Sequence, residues 1–379
     1  VSGAAKHTRG ASPNDPLVVV CAGGGGVGKT TTSAALALAL ARGGRSTLIV
    51  TIDPARRLAG AMGVPITDAV SRVPLASARG NLSALMPDPR RSLRTFIEHL
   101  FEEEPDARAR VLANRLYVGL ADAAAGVHEL VAMNLVAHAA ARGEFEVIVI
   151  DTAPSRHAID FVTYPERLAT LLGGRTVAWL SNLAARGGAA PVERSAGGIL
   201  SWGAGHLEGV IARVTGPTLV SDTASLFGDL AIVRERFVSL TERASRLLLG
   251  DRAAYALVAA PTAAARDDVL YLTKRLEPIG RTPRVIVMNR ADAMPAPYLG
   301  VLREARGVPE SVRDAVNALE QESASRKAAA DTLCAELAKR LKRVPQVRLP
   351  YVESATPDGT MLALSEAIEA HVEALLPAR

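Results

Sequence analysis

Cysteine is nearly absent from this 379-residue chain: Cys21 and Cys334 stand far apart and no CxxC occurs. That excludes a disulfide framework and a cysteine-built zinc site, and it suits a reducing, cytoplasmic setting. Aromatic residues are also scarce, at 4%, so the core has to be assembled from Ala, Leu and Val. Alanine-rich runs of that kind favour helix. No stretch approaches the roughly 18 successive apolar residues of a membrane span; the nearest, Ala34 to Ala41, ends at Arg42. Blocks of like charge are missing too. The 44 Lys and Arg face 39 Asp and Glu, for a net charge of +5, and the two signs are interspersed, which argues against a nucleic-acid-binding tail. Residues 1–15 mix Gly, Ser, Ala, Lys and Arg without an apolar core, and read as a flexible leader rather than a signal peptide.

What is present is an apolar-rich globular composition, 49% hydrophobic, in a chain long enough for one large domain with an insertion or for two smaller ones. Short apolar runs alternate with helical patterning. Leu17–Cys21, Ser46–Ile52, Phe145–Ile150, Ala254–Ala259, Arg284–Met288 and Val347–Leu349 read as strands. Continuously apolar strands separated by helices predict an α/β fold with a doubly wound parallel sheet covered on both faces. Two intervals, at about 90–142 and 165–250, are helical by periodicity and predict a helical subdomain inserted in the sheet domain. A Gly-rich patch, 187–205, interrupts the second. No internal repeat occurs, so residues 16–379 are expected to form a single nucleotide-binding domain carrying that insertion.

The sharpest signal is Gly23-Gly24-Gly25-Gly26-Val27-Gly28-Lys29-Thr30, followed by Thr31, between the first strand and an Ala/Leu helix. This satisfies GxxxxGK[ST], the phosphate loop of ATP-binding proteins. Backbone N–H groups of such a loop turn inward around phosphate oxygens, and the next helix aims the positive end of its dipole at them. Lys29 is expected on the β/γ-phosphates and the Thr30 hydroxyl on Mg2+. The letters Gly23-x-Gly25-x-x-Gly28, with Asp53 after the second strand, also match a dinucleotide fingerprint. Lys29-Thr30 directly after the last glycine, and a second acidic residue after another apolar strand, decide for the phosphate loop.

That second acidic residue is Asp151, in Asp151-Thr152-Ala153-Pro154. A carboxylate ending an apolar strand suits a metal-orienting role in phosphoryl transfer, or else a simple turn. Asp53, in Thr51-Ile52-Asp53-Pro54-Ala55, sits where a parallel strand opens onto a ligand crevice. It is expected to position an attacking water, the bland alternative being a helix cap.

Together these stretches resemble the ArsA family of anion-transporting ATPases, which includes targeting factors for tail-anchored membrane proteins. The resemblance lies in GGVGKTTTSAALA (Gly25–Ala37), TIDPARRL (Thr51–Leu58), FEVIVIDTAPSRHAIDFV (Phe145–Val162) and VIVMNR (Val285–Arg290). It implies a SIMIBI-type sheet, ATP and Mg2+ as ligands, and dimers that handle a transporter or a membrane-protein client through the helical subdomain. It implies Asp53 as the switch I aspartate, Asp151 to Pro154 as switch II, Asn289 as the residue reading adenine, and Leu349-Pro350-Tyr351 as the segment beside the base.

Three departures stand out. The position of the family's intersubunit lysine is Gly24, so a subunit that holds nucleotide without cleaving it, paired with a paralogous ATPase, stays open beside a homodimer. Ser155-Arg156-His157 replaces the usual switch II residues, and Arg156 is a candidate for the lost charge. Clustered cysteines are missing, which excludes an arsenite site. Asn289-Arg290-Ala291-Asp292 resembles a guanine-reading NKxD, so a SIMIBI-type GTPase is a second alternative. Trp179, Leu180, Leu183, Ile199, Leu200 and Trp202, around the Gly-rich patch, read either as a client groove or as the core of the subdomain itself.

Overall fold

A computed structural model describes residues 15–53, 57–74, 79–123, 127–153, 219–292, 305, 307–352, 354 and 356–372. The leader at 1–14, the tail of switch II with Arg156, and the two tryptophans lie outside the described residues. The chain divides into two compact units, Val1–Met86 with Arg142–Ile159 and Leu249–Arg379, and Pro87–Ala141 with Asp160–Leu248.

The first unit is built on an eight-stranded sheet of order β3-β4-β2-β5-β1-β6-β7-β8. Its strands are β1 (Leu17–Gly23), β2 (Thr47–Thr51), β3 (Ser71–Arg72), β4 (Leu82–Leu85), β5 (Val147–Asp151), β6 (Ala253–Ala259), β7 (Val285–Asp292) and β8 (Gln346–Pro350). All neighbours pair in parallel except β3, which runs antiparallel to β4 at one edge. The expected α/β class and parallel sheet are therefore correct. All residues of β1, β2, β5 and β6 are buried, as both-face coverage demands. Sequence pattern alone misses β3 and β4. β3 is only two residues long, and β4 (Leu-Ser-Ala-Leu) lacks β-branched residues, so neither announces itself locally.

Helix α1 (Lys29–Arg42) follows β1 and is buried along nearly its whole length. Ala and Leu on all sides make it a core helix rather than an amphipathic one. It stops at Gly43-Gly44, whose N–H groups bond back to Ala39 and Ala41 carbonyls. The short α2 (Arg57–Met62) begins just after Asp53. Further along the chain, α9 (Ala263–Leu276) is capped by Thr262, whose hydroxyl accepts from Ala265 N at 3.2 Å. The long α10 (Glu310–Arg340) and α11 (Pro357–Glu369) complete the helices described in this unit.

The described residues of the second unit are mainly helical. It holds α3 (Pro89–Leu100), α4 (Pro105–Ala113), α5 (Arg115–Ala123), most of α6 (Val127–Arg142), α7 (Leu219–Ile232) and most of α8 (Arg234–Leu249). Leu93, Phe96, Ile97 and Leu100 recur three and four apart on α3 and share one apolar cluster with Val111, Leu226, Val233 and Phe237. Phe96 and Phe237 meet edge-on, centroids 6.1 Å apart. Asp88 caps α3 by accepting from Arg91 N at 2.9 Å. Arg110 grips the buried Asp229 through Nε at 3.1 and 3.2 Å, a fork that ties α4 to α7.

Candidate functional site

The strand order reverses direction at β1: its chain-order successor β2 lies to one side beyond β5, and β6 lies on the other. In open parallel sheets the crevice at such a switch point, at the carboxyl ends of the strands, receives the ligand. The glycine loop, Asp53, Asp151 and Asn289 gather there, whereas Pro350 and Tyr351 lie at the end of the edge strand β8. Register pairs Cys21 with Asp151 and Thr51 with Asp151, so the ends of β1, β2 and β5 lie level.

Gly23 closes β1, where an added Cβ would overlap the Val258 carbonyl of β6. Gly24 and Val27 are buried, and Gly25 and Gly26 are exposed. Gly28 caps α1 at φ 82°, in the left-handed region, and a Cβ there would also strike the Asn289 amide nitrogen. Glycine is required at that position on both counts. Lys29 and Thr30 then open α1, both buried, with Thr31 half-buried behind them.

Asp151 is fully buried at the end of β5. Thr51 Oγ1 donates to its Oδ2 at 3.1 Å, and Ser33 Oγ donates to its Oδ1 at 3.3 Å. Burial pushes its carboxyl above the ordinary range, against the pull of Lys29 and the Thr30 and Thr51 hydroxyls. Burial likewise lowers Lys29, while Asp151 and Asp53 hold its charge in place. The Thr51 hydroxyl also accepts from Asp53 N at 3.2 Å, so one side chain bridges the two acidic positions. Asp53 is itself buried, with Arg57 Nη1 3.7 Å from Oδ2. Thr152 fastens the other side, donating to the Cys21 carbonyl at 2.8 Å.

Asn289 lies buried on β7, and its Nδ2 donates to the Val27 carbonyl of the glycine loop at 2.9 Å. Its Oδ1 accepts from Arg290 N at 3.0 Å. Pro350 and Tyr351 end the neighbouring strand, half-buried, and the Arg326 guanidinium of α10 lies 4.9 Å from the Tyr351 ring centroid. Two hard oxygen donors are buried here, Thr30 at the start of α1 and Asp151 at the end of β5, beside a loop with left-handed glycines at 26 and 28. That donor set fits Mg2+, which takes carboxylate and hydroxyl oxygen, and the loop fits a phosphate chain.

Residues 17–187 match the family model described as anion-transporting ATPase (ArsA_ATPase). This segment is similar to the ArsA family. Among curated relatives, the chain is 33% identical over 137 residues to ATPase get3 of Aspergillus terreus (strain NIH 2624 / FGSC A1156), covering 36% of this chain and 39% of that protein. It is 34% identical over 137 residues to ATPase GET3 of Mycosarcoma maydis, with the same coverage. It is 29% identical over 181 residues to ATPase get3 of Schizosaccharomyces japonicus (strain yFS275 / FY16936), covering 48% of this chain and 51% of that protein. The chain thus spans about half the length, or less, of the curated relatives it matches.

Sequence pattern alone does not point to Ser33, Thr51, Arg57 or Asp268. Asp268 of α9 occupies the space that a side chain at Gly24 would need. Ser33 was within reach of simple periodicity, since it is one helical turn beyond Lys29. Among the described residues no helix is long and apolar enough to cross a membrane, and no group of three or more His, Cys, Asp and Glu is placed to hold a metal ion.

Proposed function

We propose that this chain is a magnesium-dependent ATPase that binds ATP at Gly23–Thr31. The observation that carries the reading is the convergence of the glycine loop and Asp151 at the switch point, with Asp151 buried, level with Cys21 of β1 and joined to Ser33 of α1 and to Thr51. The loop amides and Lys29 hold the β/γ-phosphates. Thr30 and Asp151 hold Mg2+, which when bound neutralises charge on the phosphate oxygens. Asp53, fixed through its backbone by Thr51, orients the attacking water, a step that rests on positioning more than on covalent chemistry. Asn289, Pro350 and Tyr351 flank the adenine.

The family description and the get3 relatives support an ATPase; beyond them, we propose that nucleotide state governs the helical unit, which serves a transport partner or a hydrophobic client. On this reading the protein acts as a homodimer in the cytoplasm. The deciding experiment is ATP turnover by purified protein beside Lys29→Ala and Asp53→Asn. The reading expects magnesium-dependent turnover that falls by about a hundredfold or more in either variant. Unchanged turnover in Asp53→Asn removes that residue from the mechanism. ATP bound but never cleaved by the parent favours the nucleotide-holding subunit instead.

A further inference from the structure

Arg57 stands out among the charges of the site. It is the first residue of α2, where the helix dipole disfavours a cation, so its placement does not serve the helix. Its side chain is 57% exposed, whereas the Asp53 carboxylate it faces is 3% exposed. At 3.7 Å the pair is an ion pair but too long for a hydrogen bond. Arg57 is thus loosely held, on a flexible stem, beside a carboxylate that is buried. The Lys29 ammonium also feels the Arg57 charge, so both cations belong to one electrostatic neighbourhood. Arg57 adds a positive charge beside the Asp53 carboxylate, which favours a polyphosphate there.

We infer that Arg57 is a phosphate-binding cation supplied from within the chain, shared between the Asp53 carboxylate and the terminal phosphate oxygens of the nucleotide. This rests on the nucleotide reading proposed above. The planar guanidinium suits such a role, since it meets phosphate oxygens in a two-pronged fork. Its transfer from Asp53 to phosphate lets the carboxylate accept from water, so ligand arrival and release of Asp53 become one event. Asp53 and the phosphate then compete for a single cation.

The test is calorimetric titration of the intact protein with Mg-ATP and with AMP, for the parent, Arg57→Ala, Arg57→Lys, Asp53→Asn and the Asp53→Asn/Arg57→Ala pair, with thermal melts of each. Arg57→Ala is expected to weaken Mg-ATP by about tenfold and AMP by less than about twofold, with Arg57→Lys recovering part of the loss. Asp53→Asn is expected to tighten Mg-ATP in the parent background and to have no such effect once Arg57 is gone. If Arg57→Ala lowers the melting temperature but leaves the ratio of ATP to AMP affinity unchanged, Arg57 only braces Asp53 and the inference is wrong. A parent that binds ATP as its Arg57→Ala variant does overturns the inference alone. A parent that binds no polyphosphate overturns the site assignment along with it.

Discussion

Asn289 Nδ2 donates to the Val27 carbonyl oxygen at 2.9 Å, so a side chain near the end of β7 fastens the glycine loop that follows β1. Both partners are buried, and a buried hydrogen bond of this kind contributes about 1 kcal/mol, with more lost when one partner is left unsatisfied. Asn289 therefore shapes the glycine loop itself, in addition to the base-flanking role proposed for it. Asn289→Ala is expected to weaken inorganic triphosphate and ATP alike, each by about fivefold or more. A residue that only read the base would leave triphosphate affinity unchanged, and paired calorimetric titrations separate the two.

The carboxylate of Asp268 fills the space beside Gly24. A lysine introduced at position 24 would displace the end of that side chain and then pair with it, which holds the new cation against its own subunit. Gly24→Lys alone is expected to leave ATP turnover within about twofold of the parent, whereas Gly24→Lys with Asp268→Ala frees the lysine to act elsewhere. Turnover assays on the two variants, with oligomeric mass measured in parallel, check this. A large gain from Gly24→Lys alone would contradict it.

Asp151 gives a pH signature. Its folded-state pKa is raised by burial, so the folded protein holds the proton more tightly than the unfolded chain does. The stabilising contribution is complete below the unfolded value of about 3.9 and is lost as pH rises through the raised value. Asp151→Asn removes that titration. In magnesium-free, nucleotide-free buffer the melting temperature of Asp151→Asn relative to the parent should therefore climb as pH rises above about 4. Mg-ATP should raise the melting temperature of the parent and do much less for the variant. A difference independent of pH would show that the carboxylate is not desolvated.

The two cysteines should behave differently. Burial pushes the Cys21 thiol up to about 12, which leaves almost no thiolate at pH 8, while Cys334 is half-buried on α10. A thiol reagent is expected to modify Cys334 in the native protein and to reach Cys21 only on unfolding. Peptide mapping after labelling reads the order directly, and early modification of Cys21 would mean that the centre of the sheet opens readily.

The residues legible in the sequence are those whose environment is local. Six strands show as apolar runs because a parallel sheet buries both faces, and the loop shows because glycine, lysine and threonine must follow one another at fixed spacing. Asp53 and Asp151 show because each terminates a strand. What is not legible depends on chain segments meeting across the sheet. Nothing near Thr51 says that its hydroxyl will join two acidic positions, 100 residues apart in the case of Asp151. The 262-residue reach from Asn289 to Val27 is equally silent. The edge strand β3 escapes for another reason, since two residues carry no periodicity.

The central claim is that Gly23–Thr31, with Lys29 as its cation, encloses the polyphosphate of a nucleotide. Calorimetric titration of the purified protein with Mg-ATP, beside Lys29→Ala, tests it most directly. Saturable binding by the parent that weakens by about a hundredfold in the variant is the expected result; a well-folded parent that gives no heat with any adenine or guanine nucleotide in the presence of magnesium would contradict it.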